Sequence, residues 1–181
     1  MVGCGKKDDP NTGVVNPNKP SPKAVPEKLI TDPIVEKKIR IKLKKLTGEL
    51  TEADLEKITH LSFYGQVLTE VPKELEKLTQ LTELGLRDNQ LTDVKGLEKL
   101  TELRYLWLHD NQLTSVKGLE KLTQLTYLLL IGNKLTDVKG LEKLTQLTRL
   151  SLQRNPDLTK AQIAELQKAL PKCDISSNPK K

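Results

Sequence analysis

Leucines and polar residues alternate along this chain in a pattern that repeats every 22 residues. Three consecutive units, which begin at residues 81, 103 and 125, are nearly identical: LTELGLRDNQLTDVKGLEKLTE, LRYLWLHDNQLTSVKGLEKLTQ and LTYLLLIGNKLTDVKGLEKLTQ. Leucines at the fourth and sixth positions of each unit flank one residue that varies, and this spacing predicts a short strand with one buried face. A fixed period of this length predicts stacked coils rather than a closed globule.

An asparagine occupies the ninth position of four units, directly after the predicted strand. Its short amide side chain can bond backbone groups that a turn leaves unpaired, so we expect a ladder of asparagines between the coils. A glycine then interrupts the return segment of each of the three regular units, which predicts a short helical turn there rather than a long helix. The ladder residues are Asn89, Asn111, Asn133 and Asn155.

The pattern LxxLxLxxN-x-L resembles the leucine-rich repeat, and the period is similar to that of the bacterial internalin-like class. The resemblance covers about residues 34–175. It implies an α/β repeat solenoid, a horseshoe with a parallel β-sheet on the concave face and short 3₁₀ turns on the convex face. It also implies a protein partner on the concave face. The sequence departs from the class at Gly96, Gly118 and Gly140, where internalin-like proteins often have proline.

The segments before the repeats differ from them in composition. Residues 1–31 are rich in proline, asparagine and lysine and have little to bury, which predicts a disordered, extended tether. Residues 32–57 begin with Asp32 and Pro33, a helix start, and contain a capping-box-like signal at Thr51. Because a terminal coil would otherwise expose apolar surface, we interpret 32–57 as a helical cap.

The repeats and the C-terminal end follow the same logic. About five coils occupy residues 58–156, and the first of them has Gln66 where the others have asparagine. A second capping box at Thr159 opens an apolar helical pattern, which predicts a C-terminal helical cap over 157–175. Residues 176–181 are expected to form a disordered tail.

Cys4 lies in the run MVGCGKK, which resembles the end of a bacterial lipoprotein signal, where a small residue precedes the lipidated cysteine. This resemblance implies a lipid anchor on Cys4 as the one membrane contact and a location at the cell envelope or outer surface. The apolar run that precedes such a cysteine is missing from the sequence, so an upstream signal segment is required; otherwise the expected location is cytoplasmic. The alternative is a free cysteine in a disordered tail.

The charge balance argues against a nucleic-acid partner. The chain has 30 Lys+Arg and 24 Asp+Glu, a net charge of +6. Most of the excess is lysine in the repeated VKGLEKL segment, where a glutamate always lies nearby. A solvated convex face of mixed sign explains this pattern better than nucleic-acid binding, because arginine is scarce and no nucleic-acid motif occurs.

The third, fifth and seventh positions of each unit are predicted to point away from the core, onto the concave face. The chain has one Trp, three Tyr and one Phe, and every one except Phe63 falls at these positions. Tryptophan and tyrosine are frequent anchors of interfaces, so we predict a binding patch there with a polar rim. Its residues are Tyr64, Glu83, Arg87, Tyr105, Trp107, His109, Tyr127, Leu129, Ile131 and Arg149.

Metal binding and catalysis have little support. Asp88 and Asp110 occupy the eighth position of neighbouring units, so their carboxylates are expected about 5 Å apart, and they are the only metal candidates. The alternative is two solvated loop carboxylates. His109 is next to Asp110, but alternation along a strand predicts that the two side chains point to opposite sides. No nucleophile constellation or glycine-rich phosphate loop occurs, so we predict no enzyme, no metal and no cofactor.

Together these features predict a monomeric, non-enzymatic module that binds a protein partner and is tethered at the envelope. Two alternatives stay open. Exposed aromatic rings also stack on sugars, which would make the chain a cell-wall glycan-binding protein. Association of its faces would instead make it a structural, self-associating envelope protein.

Overall fold

A computed structural model describes residues 1–3 and 28–179. Six strands of three residues each form one parallel sheet, and their order in the sheet is their order in the sequence. The register pairs equivalent positions of neighbouring units, so Glu83 lies beside Tyr105 and Tyr105 beside Tyr127. The strands are β1 (His60–Ser62), β2 (Glu83–Gly85), β3 (Tyr105–Trp107), β4 (Tyr127–Leu129), β5 (Arg149–Ser151) and β6 (Asp174–Ser176).

Short 3₁₀ turns form the return side of the coils, as the glycines predicted. Gly96 has a φ of 96°, a left-handed conformation that proline cannot adopt, which explains why glycine stands here in place of the proline of the internalin-like class. Glu98 accepts a hydrogen bond from the Gly96 amide at 2.7 Å, so the repeated glutamate also fixes the turn. The turns are Lys73–Lys77, Leu97–Lys99, Leu119–Lys121 and Leu141–Lys143.

Helices cover both ends of the stack. At the N-terminal end, Asp32 caps α1 (Pro33–Leu43). Its Oδ1 accepts hydrogen bonds from the amides of Ile34 and Val35 at 2.8 and 2.9 Å. Helix α2 (Glu52–Leu55) and helix α3 (Lys160–Ala169) each begin with a capping box, as expected. Side chains of all three helices join the apolar core, which closes the terminal coils.

Leucine ladders fill the core between the sheet and the turns. The leucine at the middle of each of β2 to β5 is fully buried, and so are the leucines of the 3₁₀ turns. Phe63 is the one aromatic side chain in this core, at the position where the sequence placed it. Because equivalent leucines stack on one another, the concave side chains are held on a regular grid.

The predicted asparagine ladder is present and satisfies buried backbone groups between coils. Asn111 donates from Nδ2 to the carbonyls of Leu86 and Leu108 at 3.0 and 3.1 Å. Its Oδ1 accepts from the Leu91 amide at 3.0 Å. Each asparagine therefore links its own turn to the preceding coil, and this keeps the strand ends in register.

Strand β6 was not expected from the sequence. It pairs with β5, and the Leu152 amide donates to the Ser176 carbonyl at 2.7 Å. Asn178 accepts from the Arg154 amide at 2.7 Å. The prediction of a disordered tail that starts at residue 176 is therefore wrong for residues 176–179, because Ile175 takes the place of a repeat leucine beside Leu150 and extends the sheet by one strand.

Cys4 and residues 4–27 of the predicted tether lie outside the described residues. For residues 28–31 the prediction of a disordered tether is wrong, because Ile30 is buried in the apolar core and the Thr31 hydroxyl donates to Glu74 at 2.6 Å. Within residues 1–3 and 28–179, no helix has the length and apolar character needed to cross a membrane.

Candidate partner-binding site

The regular register brings three aromatic rings together on the concave face. Tyr105 and Trp107 project from the same strand, with ring centroids 6.1 Å apart and planes inclined by 16°. Tyr127 on the next strand lies 6.2 Å from Tyr105 and 6.4 Å from Trp107. We call Tyr105, Trp107 and Tyr127 the aromatic cluster. Ring pairs at these separations attract one another, so the cluster is a preformed surface.

The cluster is less open than the sequence suggested. Tyr105 is 40% exposed, whereas Trp107 and Tyr127 are half-buried because the three rings cover one another. Leu129 lies beside Trp107 in the register, and both Leu129 and Ile131 are also half-buried. The apolar surface is therefore centred on Tyr105, with the aliphatic side chains on its C-terminal side.

Two arginines rest on tyrosines at either side of the cluster. The Arg149 guanidinium carbon lies 5.8 Å from the centre of the Tyr127 ring. The Arg87 guanidinium carbon lies 4.4 Å from the centre of the Tyr64 ring, which is itself 53% exposed. Both distances are typical of cation–π contacts, which orient the guanidinium groups at the rim. Tyr64 thus belongs to this pair rather than to the aromatic cluster.

Helix α1 forms a wall at the N-terminal end of the concave face. A groove of about 430 Å³ separates it from β1, β2 and β3. Lys38, Ile41 and Lys42 line the helix side, while Glu83 and Trp107 belong to the sheet side. Sequence reasoning treated α1 only as a cap and missed these lining residues. Their spacing of three and four residues places them on one helix face, but periodicity does not show which surface that face meets.

Asp88, His109 and Asp110 form a polar cluster beside the aromatic one. Their ligating atoms all lie within 4.8 Å of one another. The expectation that His109 and Asp110 point to opposite sides is therefore wrong. Strand β3 ends at Trp107, and Asp88 and Asp110 adopt left-handed φ values of 54° and 55°, so strand alternation no longer applies after the strand.

Arginines already neutralise both carboxylates of this polar cluster. Arg154 forms an ion pair with Asp110 across Gly132, whose missing side chain leaves room for the guanidinium. The Arg87 Nε lies 4.0 Å from a carboxylate oxygen of Asp88. Asp88, His109 and Asp110 are the residues that could hold a cation, but the neighbouring positive charges oppose one, which favours the interpretation as paired loop carboxylates.

The pKa of His109 is lowered from its ordinary value. Burial is the largest effect, and it lowers the pKa of the imidazole, because the charged form would be desolvated. Its Nδ1 is buried and has no hydrogen-bond partner among the described residues. At neutral pH His109 therefore adds a polar but uncharged edge to the binding surface.

Known leucine-rich repeat proteins are similar to the chain in sequence and in structure. A family model described as leucine-rich repeats in two copies matches residues 79–121. An internalin from Listeria monocytogenes superposes with a TM-score of 0.73 and 28% identity, over 83% of this chain and 45% of that one. The chain is an internalin-like leucine-rich repeat protein. Its fold class, the horseshoe predicted from the repeat, is confirmed.

Two further structures extend the comparison. A leucine-rich repeat protein from Leptospira interrogans is 32% identical, with a TM-score of 0.62, over 71% of this chain and 34% of that one. Internalin C2 from Listeria monocytogenes is 21% identical, with a TM-score of 0.57, over 83% of this chain and 86% of that one, and it shows the fold alone. No curated protein matches the chain.

The internalin-like leucine-rich repeat is in general a protein-interaction scaffold, and the chain has that architecture. The chain spans less than half the length of the first internalin and about a third of the Leptospira protein.

Proposed function

We propose that this internalin-like chain is a non-enzymatic module that binds a protein partner on its concave face, with the aromatic cluster as the anchor. The observation that carries the proposal is the position of three of the five aromatic residues of the chain in one contiguous cluster. These rings lie on the concave face of the sheet, which points away from the leucine core, so they do not contribute to core packing. Clustered Tyr and Trp side chains with a polar rim are the usual composition of interface hot spots.

The surroundings of the cluster support the same function. Arg149 stacks on Tyr127, and Arg87 stacks on Tyr64, so both guanidinium groups are oriented before a partner arrives. Arginine and tyrosine together account for a large share of the binding energy in many interfaces. A preformed surface of this kind loses little conformational entropy on binding.

The experiment compares the wild-type chain with the triple variant Tyr105→Ala/Trp107→Ala/Tyr127→Ala as baits against proteins of the cells that express it. The matched control replaces three exposed convex lysines, Lys95, Lys117 and Lys139, by alanine. Circular dichroism first shows that all three proteins fold. We expect a protein that the wild type and the control retain and the triple variant loses. Equal retention by all three baits would remove the aromatic cluster from the binding site.

Truncation of the three rings should weaken binding strongly. Single hot-spot aromatic residues contribute about 2 kcal/mol or more on truncation, so loss of the cluster should lower the affinity for the retained partner by at least about a hundredfold. Titration of that partner with each bait measures the effect. A loss below tenfold would assign most of the binding energy to another surface.

Tethering to the envelope through a lipid on Cys4 is a separate proposal, supported by the run MVGCGKK alone. Mass spectrometry of the N-terminal peptide from the mature protein tests it. The mass of a diacylglyceryl group on Cys4 is the expected result, and an unmodified thiol would overturn it.

The glycan alternative has less support than the protein partner. Sugar stacking needs an open ring face, whereas Trp107 and Tyr127 are half-buried by their neighbours. Competition of the retained partner by soluble cell-wall sugars would reverse this preference.

A further inference from the structure

We propose that the groove between α1 and the sheet binds an acidic, extended peptide segment of the partner, with an apolar side chain of that segment packed against Ile41 and Trp107. This inference rests on the proposed function, because it names the chemistry of the partner at one end of the same concave face. It adds helix α1, which the repeat pattern assigned only to capping, to the binding surface.

The groove has the size and the walls of a peptide-binding site. Its volume is about 430 Å³, and side chains of α1 and of the first three strands line it. Gly85 is buried on its floor, where it lies beside Ser62 on β1 and Trp107 on β3. A Cβ on Gly85 would come within 3.1 Å of the Ser62 hydroxyl, so glycine keeps this floor low. A side chain from outside can therefore approach the edge of Trp107.

The charges around the groove are mainly positive. Lys38 and Lys42 stand one turn apart on the helix wall, and neither forms an ion pair with any residue of 28–179. Arg87 lies on the sheet side, where it already pairs with Asp88, and Glu83 is the one carboxylate among the lining residues. Lysines without partners gain favourable interactions from a carboxylate ligand, which makes an acidic segment the complementary occupant.

The apolar part of the groove selects a peptide over a small anion. Ile41 is 59% exposed at the rim, and the half-buried Trp107 closes the inner end. A bound apolar side chain would cover the exposed part of Ile41 together with Trp107. The expected recognition element is therefore an aliphatic or aromatic residue flanked by Asp or Glu.

Trp107 gives a direct probe, because it is the single tryptophan of the chain. Random linear peptides displayed on phage are selected on the full chain. The enriched sequences are then synthesised without tryptophan, and Trp107 emission is followed as each is added. The variant is Lys38→Glu/Lys42→Glu, and the control with the same charge change is Lys117→Glu/Lys139→Glu on the convex face.

We expect enrichment of peptides that combine acidic and apolar residues and that shift Trp107 emission. Two reversed charges at a solvent-exposed site should weaken their binding roughly tenfold or more in Lys38→Glu/Lys42→Glu, and the convex control should bind as the wild type does. Replacement of Glu by Gln in the peptide should have a similar effect, and added salt should weaken binding.

Four outcomes would overturn the inference. The first is enrichment of peptides without acidic residues, and the second is equal binding to the wild type and Lys38→Glu/Lys42→Glu. The third is no enrichment at all. The fourth is binding of anionic phosphatidylglycerol vesicles through Lys38 and Lys42 without any acidic peptide, which would make the helix face a membrane contact.

The proposed function is tested separately by Tyr105→Ala/Tyr127→Ala, which keeps the Trp107 reporter. Selected peptides that depend on these tyrosines but not on Lys38 and Lys42 would preserve the aromatic cluster as a binding site and remove only the groove.

Discussion

Replacement of one ladder asparagine should show how strongly the ladder stabilises the coils. Asn133 is 4% exposed, and its Oδ1 is the acceptor for the buried amide of Leu113 at 3.0 Å. Its Nδ2 donates to the carbonyls of Leu108 and Leu130 at 3.0 and 3.1 Å. Asn133→Ala removes all of these bonds at once.

The substitution does not leave the three backbone partners of Asn133 equally short of hydrogen bonds. The carbonyls of Leu108 and Leu130 each keep a hydrogen bond, from Asn111 at 3.1 Å and from Asn155 at 2.9 Å. The Leu113 amide keeps none, and a buried donor without a partner costs about 1–3 kcal/mol. With about 0.5 kcal/mol for each weakened carbonyl, the expected loss in the free energy of unfolding is about 2–4 kcal/mol.

Urea unfolding followed by far-ultraviolet circular dichroism measures this loss. The control is Gln90→Ala, because Gln90 directly follows Asn89 in the ladder of another coil but is exposed. A surface substitution of this kind should change the free energy of unfolding by no more than about 0.5 kcal/mol. A loss that small for Asn133→Ala as well would refute the role assigned to the ladder.

Other perturbations probe the cap, the polar cluster and the buried thiol. The hydrogen bond from Lys45 is the largest of the effects that hold the pKa of Asp54 well below its usual range. The ionised carboxylate therefore stabilises the folded chain fully at pH values above the pKa of Asp54 in the unfolded chain, and this stabilisation is lost as pH falls through its pKa in the folded chain. Urea unfolding at several pH values should show that Asp54→Asn has a lower free energy of unfolding than the wild type at pH 7, and that this difference becomes smaller below about pH 4. A difference that does not change with pH would contradict this. Gly132 has a φ of 66° and faces Arg154, so Gly132→Ala should cost about 1–2 kcal/mol in thermal unfolding, and adding Arg154→Ala should recover part of it. A double variant less stable than Gly132→Ala would exclude the steric explanation. Burial raises the pKa of Cys173 to about 11, so in a chain whose other cysteine is serine, the thiol should react with a disulfide reagent at pH 8 only after unfolding. Fast reaction of the native chain would show that the C-terminal cap opens.

The repeat pattern was sufficient to predict the scaffold. Each coil contacts only its neighbours, so one period contains the strand, the turn and the core positions, and the stack follows by repetition. The register that pairs Tyr105 with Tyr127 has the same cause, since equal unit lengths place equivalent positions side by side. The three rings of the aromatic cluster were thus among the residues predicted for the concave face, whereas the separation of Tyr64 from them was not predicted.

What the sequence did not predict lies directly after the strands and at the C-terminal edge of the sheet. Strand β3 stops at Trp107, so alternation did not hold for His109 and Asp110, which meet Asp88 in one cluster. Strand β6 has an isoleucine in place of the repeat leucine and no asparagine at the ninth position. A left-handed residue follows each of β2 to β5, at Asp88, Asp110, Gly132 and Arg154, and it ends the strand alternation there, whereas pairing with β5 decides the geometry of β6.

The groove is the clearest example of a feature that no pattern contained. The spacing of Lys38, Ile41 and Lys42 gave them one helix face, but the angle between α1 and the sheet depends on how Val35 and Ile39 pack into the first coil. That packing is a single contact between unlike elements, so repetition gives no second instance to compare. Whether the residues of a cap line a groove therefore depends on the orientation of the cap relative to the sheet, which the sequence pattern does not give.

Trp107 belongs to both the aromatic cluster and the groove, so one partner can cover both surfaces with a continuous segment. If it does, Lys38→Glu/Lys42→Glu and Tyr105→Ala/Tyr127→Ala should each weaken binding of the same partner. Trp107→Ala should weaken it in both backgrounds. Two different partners, each lost by only one pair of substitutions, would instead show that the concave face holds two independent sites.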